Sequence, residues 1–219
     1  MRAIIQADIV CDKARLFAKS AEQAAKTECD ATIRDLSLRL AHSRIIELEE
    51  KLAQMSRLAH EDQLTGILNR RGCDSAFTRE LSRCRRSNAP LSLAALDIDD
   101  FKRINDEYGH AAGDAALVHF TKIISANIRT SDIFARTGGE EFLIVLPDTR
   151  IEHAALTVAR LQKAMSLARL QTGQTSLELT FSVGIARLQP CDTAEGLIER
   201  ADFGTRTAKK NGKNCMVCT

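Results

Sequence analysis

From Leu38 the apolar positions follow a three-four rhythm: Leu38, Ala41, Ile45, Leu48, Leu52, Met55 and Ala59. That spacing predicts an amphipathic helix with a seam of about three heptads, the lower limit for a coiled coil. No Pro or Gly occurs before residue 60, and residues 1–30 share the same helix-forming composition with a less regular pattern. Glu47, Glu49, Glu50 and Lys51 lie off the seam. The stretch reads as a parallel dimeric coil; a lone amphipathic helix packed on the next domain is the alternative. Beyond residue 60 the pattern changes. A helix is predicted over 72–88, a fully buried strand over "LSLAALDI" (91–98), and a loop leading to a helix from about Gly113. "DIFARTGGEEFLIVLP" predicts a hairpin with both glycines at its turn. A helix over 151–170, a strand over 176–188 and a helix over 193–212 closed by Gly212 follow, with a final edge strand over 214–218. Strands interleaved with helices predict an α/β sandwich in residues 61–219, after a helical segment in 1–60.

Composition narrows the picture. The chain of 219 residues carries a net charge of +2, 4% aromatic residues and no Trp. Neither a nucleic-acid surface nor a base-stacking platform is indicated. No apolar run reaches the roughly 18 residues needed for a membrane span. Gln6, Asp8, Asp12 and Lys13 break the opening segment as a signal peptide, so a cytoplasmic location is expected. Seven scattered cysteines (11, 29, 73, 84, 191, 215 and 218) read as reduced thiols. The single CxxC, Cys215 and Cys218, lacks the second pair a zinc site wants.

Four carboxylates change the picture most. The buried strand ends in Asp97 and Asp99, which share a face if extended geometry persists. The hairpin carries Glu140 and Glu141 directly after Gly138 and Gly139. Acids at a core boundary are costly unless something positive meets them. A hard divalent ion completed by phosphate oxygens suits such a set, and paired ions of this kind assist phosphoryl-type transfer.

These residues also resemble a known family. "RTGGEEF" is similar to the signature of the GGDEF family, the diguanylate cyclases, in its Glu variant. "DQLTGILNRR" (62–71), "DIDDFKRINDEYGHAAGD" (97–114), "RTSD" (129–132) and "AKKNGKN" (208–214) resemble the family's other motifs in order and spacing. The resemblance implies a palm-like mixed sheet with a βαββαβ core, and condensation of two GTP to cyclic di-GMP with release of two pyrophosphates. Each 3′-hydroxyl attacks the α-phosphorus of the other nucleotide across a homodimer. It implies Mg²⁺ or Mn²⁺ held by Asp97, the Ile98 carbonyl and Glu140, where strand parity alone favours Asp99. Glu140 and Glu141 are implied at the acid/base position, Asn105 and Asp114 as the pair that reads guanine, and His110 in the same pocket. Lys102 and Lys209 are implied to meet phosphates, and Gly138 and Gly139 to admit the nucleotide closely. Arg129 and Asp132 correspond to the family's inhibitory product site.

The chain departs from the family at Thr205 and Arg206, where a Leu-Tyr pair is usual, and at Lys213, where Arg is usual. These changes bear on helix packing and phosphate contacts near Lys209. A domain that only binds GTP or cyclic di-GMP, and a coiled-coil interaction protein, are the two other functional classes.

Overall fold

The computed structural model describes residues 2–172 and 175–219, and the side chains of all of these except 2–14, 29–33 and 175. Cys11 and Cys29 therefore lie outside the described side chains. The chain divides into two compact units, Met1–Met55 and Ser56–Thr219.

A single helix, α1 (Arg2–His60), runs through the first segment. Its seam is open: Leu38, Leu52 and Met55 are about 70% exposed, and Ile45 and Leu48 about half. Pairs such as Arg44–Glu47 and Lys51–Glu47 lace its polar surface. No described helix is long and apolar enough to cross a membrane.

The second unit contains β1 (Leu68–Asn69), α2 (Arg70–Ser87), β2 (Leu91–Ile98), α3 (Phe101–Tyr108), α4 (His110–Ala126), β3 (Ile133–Arg136), β4 (Glu141–Pro147), α5 (Ile151–Leu167), the short pair β5 (Leu170–Thr172) and β6 (Thr175–Leu177), β7 (Phe181–Arg187), α6 (Ala194–Lys210) and β8 (Met216–Cys218). The six-stranded sheet has the order β1-β3-β4-β2-β7-β8. Its inner pairs are antiparallel and its two edge strands parallel. The path β2-α3/α4-β3-β4-α5-β7 is the expected βαββαβ core in a mixed sheet.

Alternation along β2 assigns the faces. Ala94, Leu96 and Ile98 pack with α3, α4 and α5 around Phe120, Phe142 and Phe181. Leu93 and Ala95 pack with α2 and α6. By the same period of two, Asp97 belongs to the α2/α6 side.

The structure corrects four expectations. Residues 101–108 form helix α3 rather than a loop, because Phe101 and Ile104, three apart, both bury. Helix α4 begins at His110, three residues before Gly113, and Gly109 at φ 81° makes the corner between the two helices. The helix from 151 stops at Leu167, and the strand expected over 176–188 is broken, with β6 and β7 flanking residues 178–180. The Thr180 carbonyl accepts from Asp99 N. β1 has only two residues, too few for any periodic signal.

Candidate active site

The site forms where β2 meets the hairpin. Asp97 lies directly opposite Glu141 in the β2–β4 register, and Ile98 N donates to the Glu140 carbonyl at 3.2 Å. Glu140 precedes β4 and Glu141 opens it. Like charges directly opposite each other in a sheet are unfavourable without a cation. The structure supplies one: Lys209 Nζ from α6 stands 2.7 Å from Asp97 Oδ1. That buried oxygen has no directed hydrogen bond, so the ammonium neutralises it by charge rather than by aligned donation. Burial pushes the Asp97 carboxyl up, and Lys209 only partly offsets this. Burial, then the negative charge of Asp97, pushes Glu140 up as well.

Strand parity placed Asp99 on the face of Asp97, and it lies there, but its oxygens are taken. Ser182 Oγ donates at 2.7 Å, Thr180 Oγ1 at 3.0 Å and Asn214 N at 3.0 Å. Asp99 is 6% exposed. It ties the end of β2 to β7 and to the C-terminal loop. Next to it, Lys213 Nζ meets Asp100 Oδ1 at 2.6 Å.

The signature turn is held from below. Arg136 Nη1 donates to both oxygens of Asp62 at 3.1 and 3.2 Å, Nε to Gly138 O at 3.1 Å and Nη2 to Gly139 O at 2.8 Å. Burial would raise the Asp62 carboxyl, but Thr65 and Arg136 hold it below the usual range. A Cβ on Gly138 would come within 2.3 Å of Glu141 Oε2, so this glycine makes room for the glutamate, whereas Gly139 faces open space.

Asn105 on α3 and Asp114 on α4 flank the α3–α4 corner. A Cβ on Gly113 would strike Asn105 Oδ1 at 2.0 Å, so Asn105 lies against the residue preceding Asp114. Asp114 is inside α4, whose N-cap is Gly109, and it performs no capping. Lys102 and His110 are exposed on the same two helices. Arg129 and Asp132 lie apart from this corner, between α4 and β3. Arg129 N donates to Asp132 Oδ2 at 2.9 Å. Both line a cavity of about 320 Å³ with His153 and Arg160. Burial pushes the Asp132 carboxyl up.

Among the described residues, no group of three or more His, Cys, Asp or Glu side chains is arranged as a metal cage. The donor set nevertheless fits Mg²⁺ or Mn²⁺: an Asp97 carboxylate oxygen without a directed donor, near enough to Glu140 for its charge to push that carboxyl up. Such ions use few protein ligands and are completed by phosphates. The two C-terminal thiols are free, and Cys215 Sγ donates to Ala208 O.

Sequence reasoning overlooked a cleft of about 510 Å³ on the α2/α6 side, where Arg70, Asp74, Asp202 and Arg206 join Asp97, Glu141 and Lys209. The signal existed. Glu195, Ile198, Asp202, Arg206 and Lys209 recur at three-four spacing and form one stripe of α6. It also overlooked the Asp62–Arg136 pair, although each residue stood in a quoted motif.

Comparison with known proteins shows the family. The family described as "Diguanylate cyclase, GGDEF domain" matches residues 59–215. Response regulator PleD of Caulobacter vibrioides is 36% identical over 173 residues, 78% of this chain and 38% of its own length. Diguanylate cyclase DgcP of Pseudomonas aeruginosa is 36% identical over 163 residues, 74% of this chain and 24% of its own. The coiled coil and GGDEF domain of DgcB from Caulobacter crescentus, solved with c-di-GMP, superposes with a TM-score of 0.78 at 30% identity. It covers 84% of this chain and 99% of that one. The chain belongs to the GGDEF diguanylate-cyclase family. It spans less than half the length of these two curated relatives.

Proposed function

We propose that the chain condenses two GTP into cyclic di-GMP, each domain of a homodimer holding one nucleotide. The observation that carries this reading is the half-buried Asp97 carboxylate, set opposite Glu141, beside Glu140, and neutralised by the Lys209 ammonium at 2.7 Å. A cation is already required there, and a nucleotide with its ion can replace that of the protein.

Asp97, Glu140 and the Ile98 carbonyl would hold Mg²⁺ or Mn²⁺, which when bound supplies charge neutralisation and a more acidic attacking hydroxyl. Glu140, its carboxyl raised by burial and by Asp97, is suited to accept the 3′-hydroxyl proton. Glu141, opposite Asp97 and on the wall of the α2/α6 cleft, is next in line for the same acid/base position. Asn105 and Asp114, at their shared corner, read the guanine edge: the carboxylate accepts from N1–H and the exocyclic amine, and the amide donates to an acceptor. His110 borders the same pocket. Lys209 and Lys102 meet phosphate oxygens as point charges. Gly139, with open space in front of it, lets the nucleotide approach the turn.

Two domains must face each other for the mutual attack. The exposed seam of α1 supports a dimeric coil that raises the effective concentration of one domain for the other. The DgcB structure includes a coiled coil with its GGDEF domain, which supports the same reading. Arg129 and Asp132 form the product-inhibition site, with Arg160 on the same cavity wall.

The test is product identification. Purified protein incubated with GTP and Mg²⁺ gives cyclic di-GMP by mass spectrometry, and Glu140→Ala gives none. Nucleotide binding without any cyclic dinucleotide would assign the chain to the binding-only class instead.

A further inference from the structure

The family's Leu-Tyr pair is Thr205-Arg206 here, and the structure shows what the threonine does. Thr205 is buried on α6. Its Oγ1 accepts from Gly184 N at 3.0 Å, and its one proton goes to Ala95 O at 2.9 Å, the nearer acceptor, rather than to Ala201 O one helical turn back at 3.2 Å. Ala95 and Gly184 are partners in the β2–β7 ladder. One hydroxyl thus rests on a single rung of the central sheet and bonds to both strands.

The contact is possible only at very short range. A Cβ on Gly184 would meet Ala201 O at 1.8 Å and Thr205 N at 2.4 Å, and a Cβ on Gly204 would meet Gly184 Cα at 2.8 Å. Helix α6 therefore lies on β7 backbone against backbone, with glycine on both sides. A leucine side chain at 205 has no polar atom to offer these backbone groups, and it is larger than the space the hydroxyl fills.

Lys209 stands four residues beyond Thr205, on the same face and one turn along. Ala95 stands two residues before Asp97 on the same face of β2. The rung at Ala95 and the ion pair at Asp97 are successive attachments of the same helix to the same strand.

We infer that Thr205 is a positioning residue: its hydroxyl sets the register of α6 on the β2–β7 rung and thereby delivers the Lys209 ammonium to the Asp97 carboxylate. Its effect on turnover rests on the cyclase reading above; the register of the helix does not. The substitution seen at the Leu position is then compensated locally, and the reach of Lys209 depends on a hydrogen bond rather than on apolar filling.

The test compares Thr205→Ser, which keeps the hydroxyl, with Thr205→Ala, which differs from it by that group alone. Two readouts are taken on the full chain. The first is the side-chain ammonium NMR signal of Lys209, assigned by its loss in Lys209→Arg. The second is kcat and KM for GTP. The serine variant retains the ammonium signal and turnover. The alanine variant shifts or broadens that signal and lowers kcat/KM by about tenfold, as for a misplaced contact. If serine and alanine variants give the same signal and the same kinetics, the proposal is overturned. Should the alanine variant not fold, Thr205→Val fills the volume and takes its place; loss of fold in both would assign the hydroxyl a purely structural role and also overturn the proposal. Failure of the cyclase reading shows itself separately, as absence of product from the unmodified chain, and leaves the NMR comparison decisive for the register.

Discussion

The guanidinium of Arg136 offers the sharpest test of how the signature turn is held. Its three donor nitrogens serve three acceptors: Asp62, Gly138 O and Gly139 O. Arg136 and Asp62 side chains are 15% and 23% exposed, so solvent screens them only in part. A hydrogen bond to a charged group contributes about 1.5–3 kcal/mol when well shielded. Because one nitrogen, Nη1, serves both Asp62 oxygens, the fork is imperfect, and the low end applies. With partial screening we expect a coupling of about 1–1.5 kcal/mol between the two residues in a double-mutant cycle. The two carbonyls add about the same again, giving a total near 2–3 kcal/mol for Arg136→Ala. The cycle comprises Arg136→Ala, Asp62→Ala and the double variant; it cancels the separate bonds Asp62 makes with Thr65. Urea unfolding followed by tyrosine fluorescence suits this chain. It has one Tyr, Tyr108, and no Trp, and Tyr108 lies in the Ser56–Thr219 unit, so the long helix does not contribute signal. Arg136→Lys should recover the coupling to Asp62 but not the carbonyl contacts, since a single ammonium cannot span all three acceptors. A coupling below about 0.3 kcal/mol, the range of an exposed pair, would refute the argument that this pair anchors the turn.

Asp99→Ala strands three donors from Ser182, Thr180 and Asn214 and should cost about 2–4 kcal/mol in the same urea assay; a loss under about 0.5 kcal/mol would contradict a structural role for this carboxylate. Arg129→Ala should make the rate insensitive to added cyclic di-GMP, measured as pyrophosphate release with and without product; equal inhibition in both proteins counts against the inhibitory site. Asp62 is held below its unfolded value, despite its burial, by Thr65 and Arg136. Its contribution is therefore complete above the unfolded carboxyl range, near pH 3.9, and is lost as pH falls through the lower folded value. Unfolding free energies measured between neutral pH and about pH 3 should fall less steeply for Asp62→Asn than for the unmodified chain.

Much of the architecture was legible because it rests on patterns a sequence displays. β2 and β4 are buried on both faces and read as apolar runs. The elements that escaped have no such display. β1 is two residues long and exists only because β3 lies beside it. α3 holds two apolar positions in eight residues and was masked by its charges. Among the acids, parity correctly put Asp97 and Asp99 on one face. It could not say which had free oxygens, since Ser182 and Asn214 come from 83 and 115 residues away in the chain. Thr205 was visible as a departure from the family. Its role depends on Gly184 and Gly204 meeting in space, which no local pattern reveals.

The account rests on acids at the sheet rim being held together by positive charge that a nucleotide and its ion can replace. A crystal structure with a non-reactive GTP analogue and Mg²⁺ tests this most directly. The account predicts an ion bound by Asp97 and Glu140, phosphate oxygens beside it, and the Lys209 ammonium moved from Asp97 to the phosphates. Lys209 still paired with Asp97 at 2.7 Å, with nucleotide bound elsewhere and no ion between the carboxylates, would contradict it.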